Sequence, residues 1–478
     1  AASSFPIVKE EDVVSVHNLT VEPTAVLTQT GGTINVSGEF HLLSNEDINA
    51  SYLPQGGVLN VEGAKVFVHQ HIVANNFWPF FLSSPTDSTN ALNSGSGYLM
   101  AYYDNPTDTW VQIGANARME SGRGYSVYAQ NNLVFRGNIN RIAAGHTAVR
   151  TAGQGYGWNM FGNPFTAGLD WGGIVVDTTT LENSFWLWDP RQDKYTAFNS
   201  EAGLGTGDTE GVIPSNHGFV VKVKLEHLES NIEMPPSATV ANGPSLLKSS
   251  KMNKPPFVRI AVTKDNFEDR AVVAFIDNAT AGTDKYDTEK KLGSSGPFEL
   301  YSLGDGSRLS INSFPLLTGQ RDVPLGLIVR KKGSYSLTLN DSNLEGVDVF
   351  LIDNLTEDII DLKSVAEYTF SVDKTGTDVS RLALRFVGSL TTQLPNNPGL
   401  DTSENLKVFS QDKRIFYEVG EGLVGSVVSV FDSSGRLLHN EILKGLGRNS
   451  YEVFYPGVYL IIVSQEGHIG VSQKVVVK

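Results

Sequence analysis

The chain of 478 residues contains no cysteine. That removes disulfides, thiol nucleophiles and cysteine-ligated zinc together, so cores and hydrogen bonds must hold the fold. Long helical periodicity is missing too. No run approaches the ~18 uninterrupted apolar residues of a membrane-spanning helix. Basic surface is scarce: the formal net charge is −15, and the densest basic stretch, 248–254, sits in a Ser/Pro/Asn-rich segment. The electrostatic footprint of a nucleic-acid binder is therefore lacking. Nor is there a helix-borne His-Glu-x-x-His, a phosphate-binding Gly-x-x-x-x-Gly-Lys or a Gly-x-Ser-x-Gly nucleophile elbow. Residues 1–11 carry no basic region followed by an apolar run, so a signal peptide is expected to have been removed or never to have been part of this chain.

What is present is alternation. Thr33-Ile34-Asn35-Val36-Ser37, Phe257-Val258-Arg259-Ile260-Ala261-Val262 and Ser334-Tyr335-Ser336-Leu337-Thr338-Leu339 each put apolar residues on one face and polar residues on the other. This is the period of a half-buried antiparallel strand. With 47 Gly and 20 Pro in short clusters and a 40% hydrophobic fraction, the chain reads as an all-β protein of three or four domains, built of tandem sandwiches or meanders.

Internal repeats give the organisation. Gly31-Gly32-Thr33-Ile34-Asn35-Val36-Ser37-Gly38 recurs 25 residues on as Gly56-Gly57-Val58-Leu59-Asn60-Val61-Glu62-Gly63. Residues 1–76 are accordingly expected to form stacked β-coils or a meander. A longer repeat lies in 77–235. Phe81-Leu82-Ser83-Ser84-Pro85, Tyr103-Asp104, Trp110 and Gly124-Tyr125-Ser126-Val127 correspond to Met160-Phe161-Gly162-Asn163-Pro164, Trp188-Asp189, Tyr195 and Gly218-Phe219-Val220-Val221. Asp104 to Trp110 and Asp189 to Tyr195 are both intervals of six residues, and each turn carries a Pro and a second Asp, Asp108 and Asp193. All six Trp fall between Trp78 and Trp188. Two related halves of one Trp-rich module are predicted. Residues 236–255 read as a linker, 256–388 as a β-sandwich, 389–404 as a second linker and 405–478 as a compact tail the size of seven strands.

Candidate sites are few. Asp277, Asp284 and Asp287 lie within eleven residues, beside Asn278 and Gly282. Calcium takes six to eight oxygens from such loops, although this spacing is not that of an EF-hand; the competing reading is a capped, solvated turn. His69 and His71 share one face of a predicted strand, as metal ligands or as plain exposed histidines. The aromatics of the Trp-rich region could stack on sugars, and they equally suit a small β-core. Gly203-Leu204-Gly205-Thr206-Gly207 reads as a surface loop.

The tail carries an ordered set of pieces: Leu406-Lys407-Val408-Phe409, then 425–438, then Pro456-Gly457-Val458-Tyr459-Leu460-Ile461-Ile462-Val463, then Gln473-Lys474-Val475-Val476-Val477-Lys478. In these it resembles the type A C-terminal sorting domain of type IX secretion cargo in Bacteroidetes, with the family's opening Tyr-Pro-Asn-Pro replaced around Phe409-Ser410-Gln411. Segments such as Gly157-Trp158-Asn159-Met160-Phe161-Gly162-Asn163-Pro164, Asp284-Lys285-Tyr286-Asp287, Val323-Pro324-Leu325-Gly326 and Asp353-Asn354-Leu355-Thr356 resemble non-catalytic regions of large surface proteins of that group. The resemblance implies an Ig-like tail and export through the periplasm to the cell surface or medium. It also implies partners in the type IX translocon and its outer-membrane shuttle protein. The sorting signal it implies is Gly457, Val458, Tyr459, Lys474, Val475, Val476, Val477 and Lys478. It suggests no chemistry and no cofactor, and that the chain is the C-terminal part of a longer protein. The expected function is a non-catalytic adhesive or structural surface protein, with other surface proteins or glycans as targets. The alternative is a carbohydrate-binding accessory region of a secreted enzyme.

Overall fold

In the computed structural model the described residues are 5–72, 79–87, 99–114, 117–129, 132–152, 155–208, 210–242, 254–293, 296–390, 406–411, 413–419, 426–432, 437–443, 447–453, 455–465 and 468–477. Strands and short 3-10 turns make up their regular structure, and the fold is all-β and sandwich-like. Residues 1–390 form one compact unit and 391–478 another.

The first unit begins as a solenoid of three coils. Ile7–Val8, Val26–Gln29 and Ser51–Pro54 stack in parallel; so do Val13–Val16, Thr33–Val36 and Val58–Asn60; so do Leu19–Val21, Phe40–Leu42 and Val66–Gln70. The coil, not the meander, is thus what the 25-residue repeat encodes: Ile34 stacks on Leu59 and Thr28 on Leu53. The paired glycines make the corner. Gly32 and Gly57 have φ of +62° and +71°, and a Cβ on Gly57 would lie 2.2 Å from the Gly31 carbonyl oxygen. Only glycine tolerates both the left-handed backbone and the close approach of the coil beneath. Arg141 secures this corner, donating from Nη2 to the carbonyls of Gly56 (2.7 Å) and Gly57 (3.0 Å).

The solenoid does not end at residue 76. Leu133–Arg136 pairs antiparallel with Val66–Gln70 and extends its third sheet. Leu82, Met100, Tyr125 and Val127 join Phe40, Tyr52, Val66 and Phe135 in one hydrophobic core. Residues 144–238 have a separate core around Phe165, Leu169, Phe185 and Phe219. The core boundary therefore falls near residue 140, and the first half of the predicted Trp-rich module packs with the solenoid.

The two repeat sheets share one strand order. Phe80–Leu82, Tyr125–Tyr128, Leu99–Asp104 and Thr109–Ile113 lie side by side in that sequence; Trp158–Gly162, Gly218–Lys222, Ser184–Asp189 and Lys194–Asn199 repeat it, with Leu204–Gly205 added at the edge. That added strand corrects the reading of 203–207 as a surface loop. Leu204 and Thr206 are buried, and the Gly205 carbonyl accepts a hydrogen bond from Arg259 Nε at 3.0 Å. The linker reading of 236–255 also narrows. Thr239–Val240 pairs with Gly168–Asp170, and buried Asn242 donates through its backbone N–H to Ser51 Oγ at 2.8 Å. Residues 243–253, with most of the basic stretch, lie outside the described residues.

Beyond it, twelve strands between Phe257 and Ser389 are hydrogen-bonded into one sheet around a core that includes Val258, Phe275, Leu325, Tyr335, Leu351 and Phe386. Polar contacts bind this sheet to the second repeat sheet. Asn199 Nδ2 donates to the carbonyls of Lys285 (3.1 Å) and Asp287 (3.0 Å), and Trp186 Nε1 to the Glu289 carbonyl (3.1 Å).

The second unit is a sandwich of its own. One sheet holds Leu406–Gln411, Arg414–Val419 and Gly447–Glu452; the other holds Leu437–Ile442, Val427–Asp432, Gly457–Gln465 and His468–Val477. Ile415, Tyr417, Val428, Val430, Ile461 and Val463 form its core. The linker residues 391–404 lie outside the described residues.

Candidate functional site

The aromatic concentration resolves into a layer between the two repeat sheets. Phe81 lies 5.6 Å from Trp188 and 5.8 Å from Trp110, measured between ring centroids, and Trp188 stands edge-on to Tyr195 at 5.0 Å. Phe81 and Trp188 are buried, and the indole N–H of Trp188 donates to the Pro79 carbonyl at 2.8 Å. These rings are core. Trp110 is the exception, at 48% exposure. Lys291 borders the layer, its Nζ 4.0 Å from the Trp158 ring centroid. Burial pushes its ammonium down to about 8, because the charged form loses more on desolvation. Trp78 lies outside the described residues.

In the acidic loop, Asp284 and Asp287 stand together and Asp277 is exposed on the preceding turn. The carboxylates are engaged with backbone. Asp284 accepts from the N–H of Thr280 (2.6 Å) and Tyr286 (2.9 Å); Asp287 accepts from the N–H of Asp284 (2.7 Å) and Ser313 (2.7 Å). Such bonds build an Asx-type turn. Burial raises the Asp287 carboxyl to about 6, against the lowering effect of those two N–H donors and with a further push from Asp284 and Asp305. Among the described residues no group of three or more His, Asp or Glu is placed to hold a metal.

His69 has a partner that strand spacing alone does not reveal. His41, one coil below, faces it with Nδ1 3.2 Å from His69 Nε2, while His41 Nε2 is 3.0 Å from Glu39 Oε2. Burial and the neighbouring His41 both lower the His69 pKa. The coil register narrows the search: His41 stands opposite Phe67 on the next rung, and His69 lies two residues further along that strand, on the same face.

An open depression of about 540 Å³ in 256–388 is lined by Leu339, Ser342, Leu344, Leu362, Lys363 and Ser364. Its one ionisable lining group, Lys363, donates from Nζ to the Leu344 carbonyl at 2.8 Å.

The residues singled out in the tail meet in one place. Gly457, Val458 and Tyr459 pair across two antiparallel strands with Val477, Val476 and Val475, and Leu460 pairs with Lys474. Val475 and Val477 are buried and Val476 is exposed, so the terminal strand has one face in the core. Lys478 lies outside the described residues.

A family profile described as a domain of unknown function, DUF8693, matches residues 1–386. The chain belongs to this family. The match ends before the tail, whose strands begin at Leu406. No curated protein matches the chain. Among solved structures it is similar to Tp47, the 47-kilodalton lipoprotein of Treponema pallidum, at 11% identity over 65% of this chain and 90% of that one, with a TM-score of 0.15. It is also similar to the BSP domain of a biofilm-associated protein, at 10% identity over 85% and 97% of the two chains, with a TM-score of 0.13. The Bacillus anthracis TIE protein follows at 8% identity over 92% and 71%, with a TM-score of 0.11.

Proposed function

We propose that this DUF8693 protein is a non-catalytic surface protein, adhesive or structural, which the domain 405–478 delivers to the outside of the cell through the type IX pathway. The observation that carries the reading is the pairing of Gly457-Val458-Tyr459 with Val475-Val476-Val477. The pieces of the sorting signal that are far apart in sequence are adjacent strands of one sheet, and therefore one surface for an export partner to grip. The upstream unit supports a scaffolding role: its aromatics, acidic turn and polar seams are spent on packing and backbone hydrogen bonds. The test is a fusion of residues 389–478 to a periplasmic reporter in a host with the pathway. Delivery to the surface or medium is expected. Retention of the intact fusion in the periplasm would overturn the proposal.

A carbohydrate-binding role rests on one observation, the half-exposed Trp110 beside Tyr103 at 5.6 Å between rings. A glycan array decides it. Specific sugar binding that disappears in Trp110→Ala would favour that reading over a purely structural one.

A further inference from the structure

Two imidazoles and a carboxylate stand in line on the outer face of the solenoid. His41 Nε2 meets Glu39 Oε2 at 3.0 Å, and His41 Nδ1 meets His69 Nε2 at 3.2 Å. The carboxylate selects the tautomer. With Nε2–H donating to Glu39, Nδ1 of His41 carries the lone pair and points at His69. Metal-ligating histidines commonly have this arrangement, one nitrogen on the metal and the other ring N–H on a carboxylate. Packing fixes the ring as well: His41 lies on Phe67 at 4.6 Å with planes 6° apart, and the Arg136 guanidinium is 4.7 Å from the Phe67 ring, carried by the strand on the side away from His41. His41 is partly exposed, with 25% of its side chain accessible, so the site opens to solvent.

The separation suits a shared ion. Zinc–imidazole bonds of about 2.0–2.1 Å at a tetrahedral angle place two nitrogens about 3.3 Å apart. We propose that His41 and His69 are the two protein ligands of a transition-metal dication, Zn²⁺, Ni²⁺ or Cu²⁺, with Glu39 as the positioning residue and water completing the coordination. His69 binds through Nε2 once water takes the Nε2 proton and another is delivered to Nδ1, an exchange of tautomers that releases no net proton. Imidazole ligands favour these ions over calcium or magnesium, which take oxygen. Two ligands on a preformed, rigid solenoid make an exchangeable surface site.

Equilibrium dialysis of the untagged full chain against Zn²⁺ at neutral pH tests this. One ion per chain is expected at tens of micromolar free zinc. His41→Ala and His69→Ala should each abolish binding, and Glu39→Gln should weaken it by about 10-fold or more. His17→Ala, a histidine bonded to Ser37 Oγ at 3.0 Å, should bind as the wild type does. No zinc on the wild-type chain, or full binding by either His41→Ala or His69→Ala, overturns the proposal. A measurement on unmutated protein guards against misfolded variants. The electron paramagnetic resonance spectrum of bound Cu²⁺ should show splitting from two nitrogens, and its absence would overturn the proposal independently.

Discussion

Trp110 and Tyr195 occupy the same place in two related sheets. Each follows a left-handed aspartate by two residues, Asp108 at φ +52° and Asp193 at φ +48°, and each faces an aromatic across its hairpin, Tyr103 and Trp188 respectively. Aspartate tolerates the left-handed conformation better than most residues and bonds to its own turn, which accounts for its recurrence at both hairpins. What differs is burial: the partner Trp188 is enclosed and Trp110 is half-exposed.

That asymmetry sets the first prediction. Phe81→Ala removes the ring that touches Trp110, Trp188 and Tyr195 and should cost about 3–5 kcal/mol, a large downward shift in the melting of residues 1–390. Trp110→Ala should cost about 1 kcal/mol or less, since much of its area already meets water. Calorimetry on the full chain compares the two. Equal losses would contradict the division between core and ledge.

Much of this was legible in the sequence, and for a physical reason. Period-two alternation and a glycine-paired corner are local constraints, so strands and coils show directly. Spatial proximity across coils is not local. His41 and His69 are 28 residues apart and meet only because the coil repeats every 25 or so. The burial of Leu204 beneath 256–388 likewise depends on a docking that no short pattern encodes, so its Gly-rich flanks read as a loop.

The second prediction concerns that docking. Asn199 is buried and its Nδ2 satisfies carbonyls of Lys285 and Asp287, while its Oδ1 accepts from the Ala202 N–H at 2.8 Å. Asn199→Ala leaves these groups without a partner, at a cost of about 3 kcal/mol. Hydrogen exchange should show faster opening of 283–290 and 199–206 with little change in the solenoid. Unchanged protection there would count against the seam.

A buried ion pair gives the third. Arg381 donates from Nε to both oxygens of Asp353 at 3.0 Å and from Nη2 to Oδ2 at 2.8 Å. Burial raises the Asp353 carboxyl, but Arg381, the Leu355 N–H and Tyr368 together bring it below the usual range. Arg381→Met strands a buried carboxylate and should cost about 3–5 kcal/mol. Because the folded carboxyl titrates below its unfolded value, the stabilisation is complete above pH ~4 and lost as pH falls through the folded value. A melting difference between wild type and variant that did not shrink in acid would contradict the assignment.

Asp287 titrates in the opposite sense. Its folded carboxyl is raised to about 6, so between pH ~4 and 6 the folded state holds a proton that the unfolded state has lost. Its contribution is therefore present at low pH and falls as pH rises through about 6, by on the order of 2 kcal/mol. Asp287→Asn cannot titrate. Wild-type stability relative to that variant should decline from pH 5 to pH 7.5, and a flat difference would show the carboxyl to be ionised throughout.

The last prediction separates folding of the tail from its recognition. Val475 and Val477 are buried in the tail's core, and residues 474–477 supply the pairing partners of Gly457 to Leu460. Deleting the last five residues therefore unpairs that end of the sheet as well as removing the proposed signal, and a reporter trapped in the periplasm after deletion has two explanations. Val476 separates them. It is 56% exposed and lies between the two buried valines, so Val476→Lys changes the outward face while leaving the core contacts in place. The variant tail should melt within a few degrees of wild type, because an exposed substitution costs little. If the terminal strand is what the export machinery reads, the same substitution should leave the reporter in the periplasm as a folded, protease-resistant domain. Wild-type export of Val476→Lys would move recognition away from this face. Export lost together with protease resistance would trace the deletion's effect to unfolding.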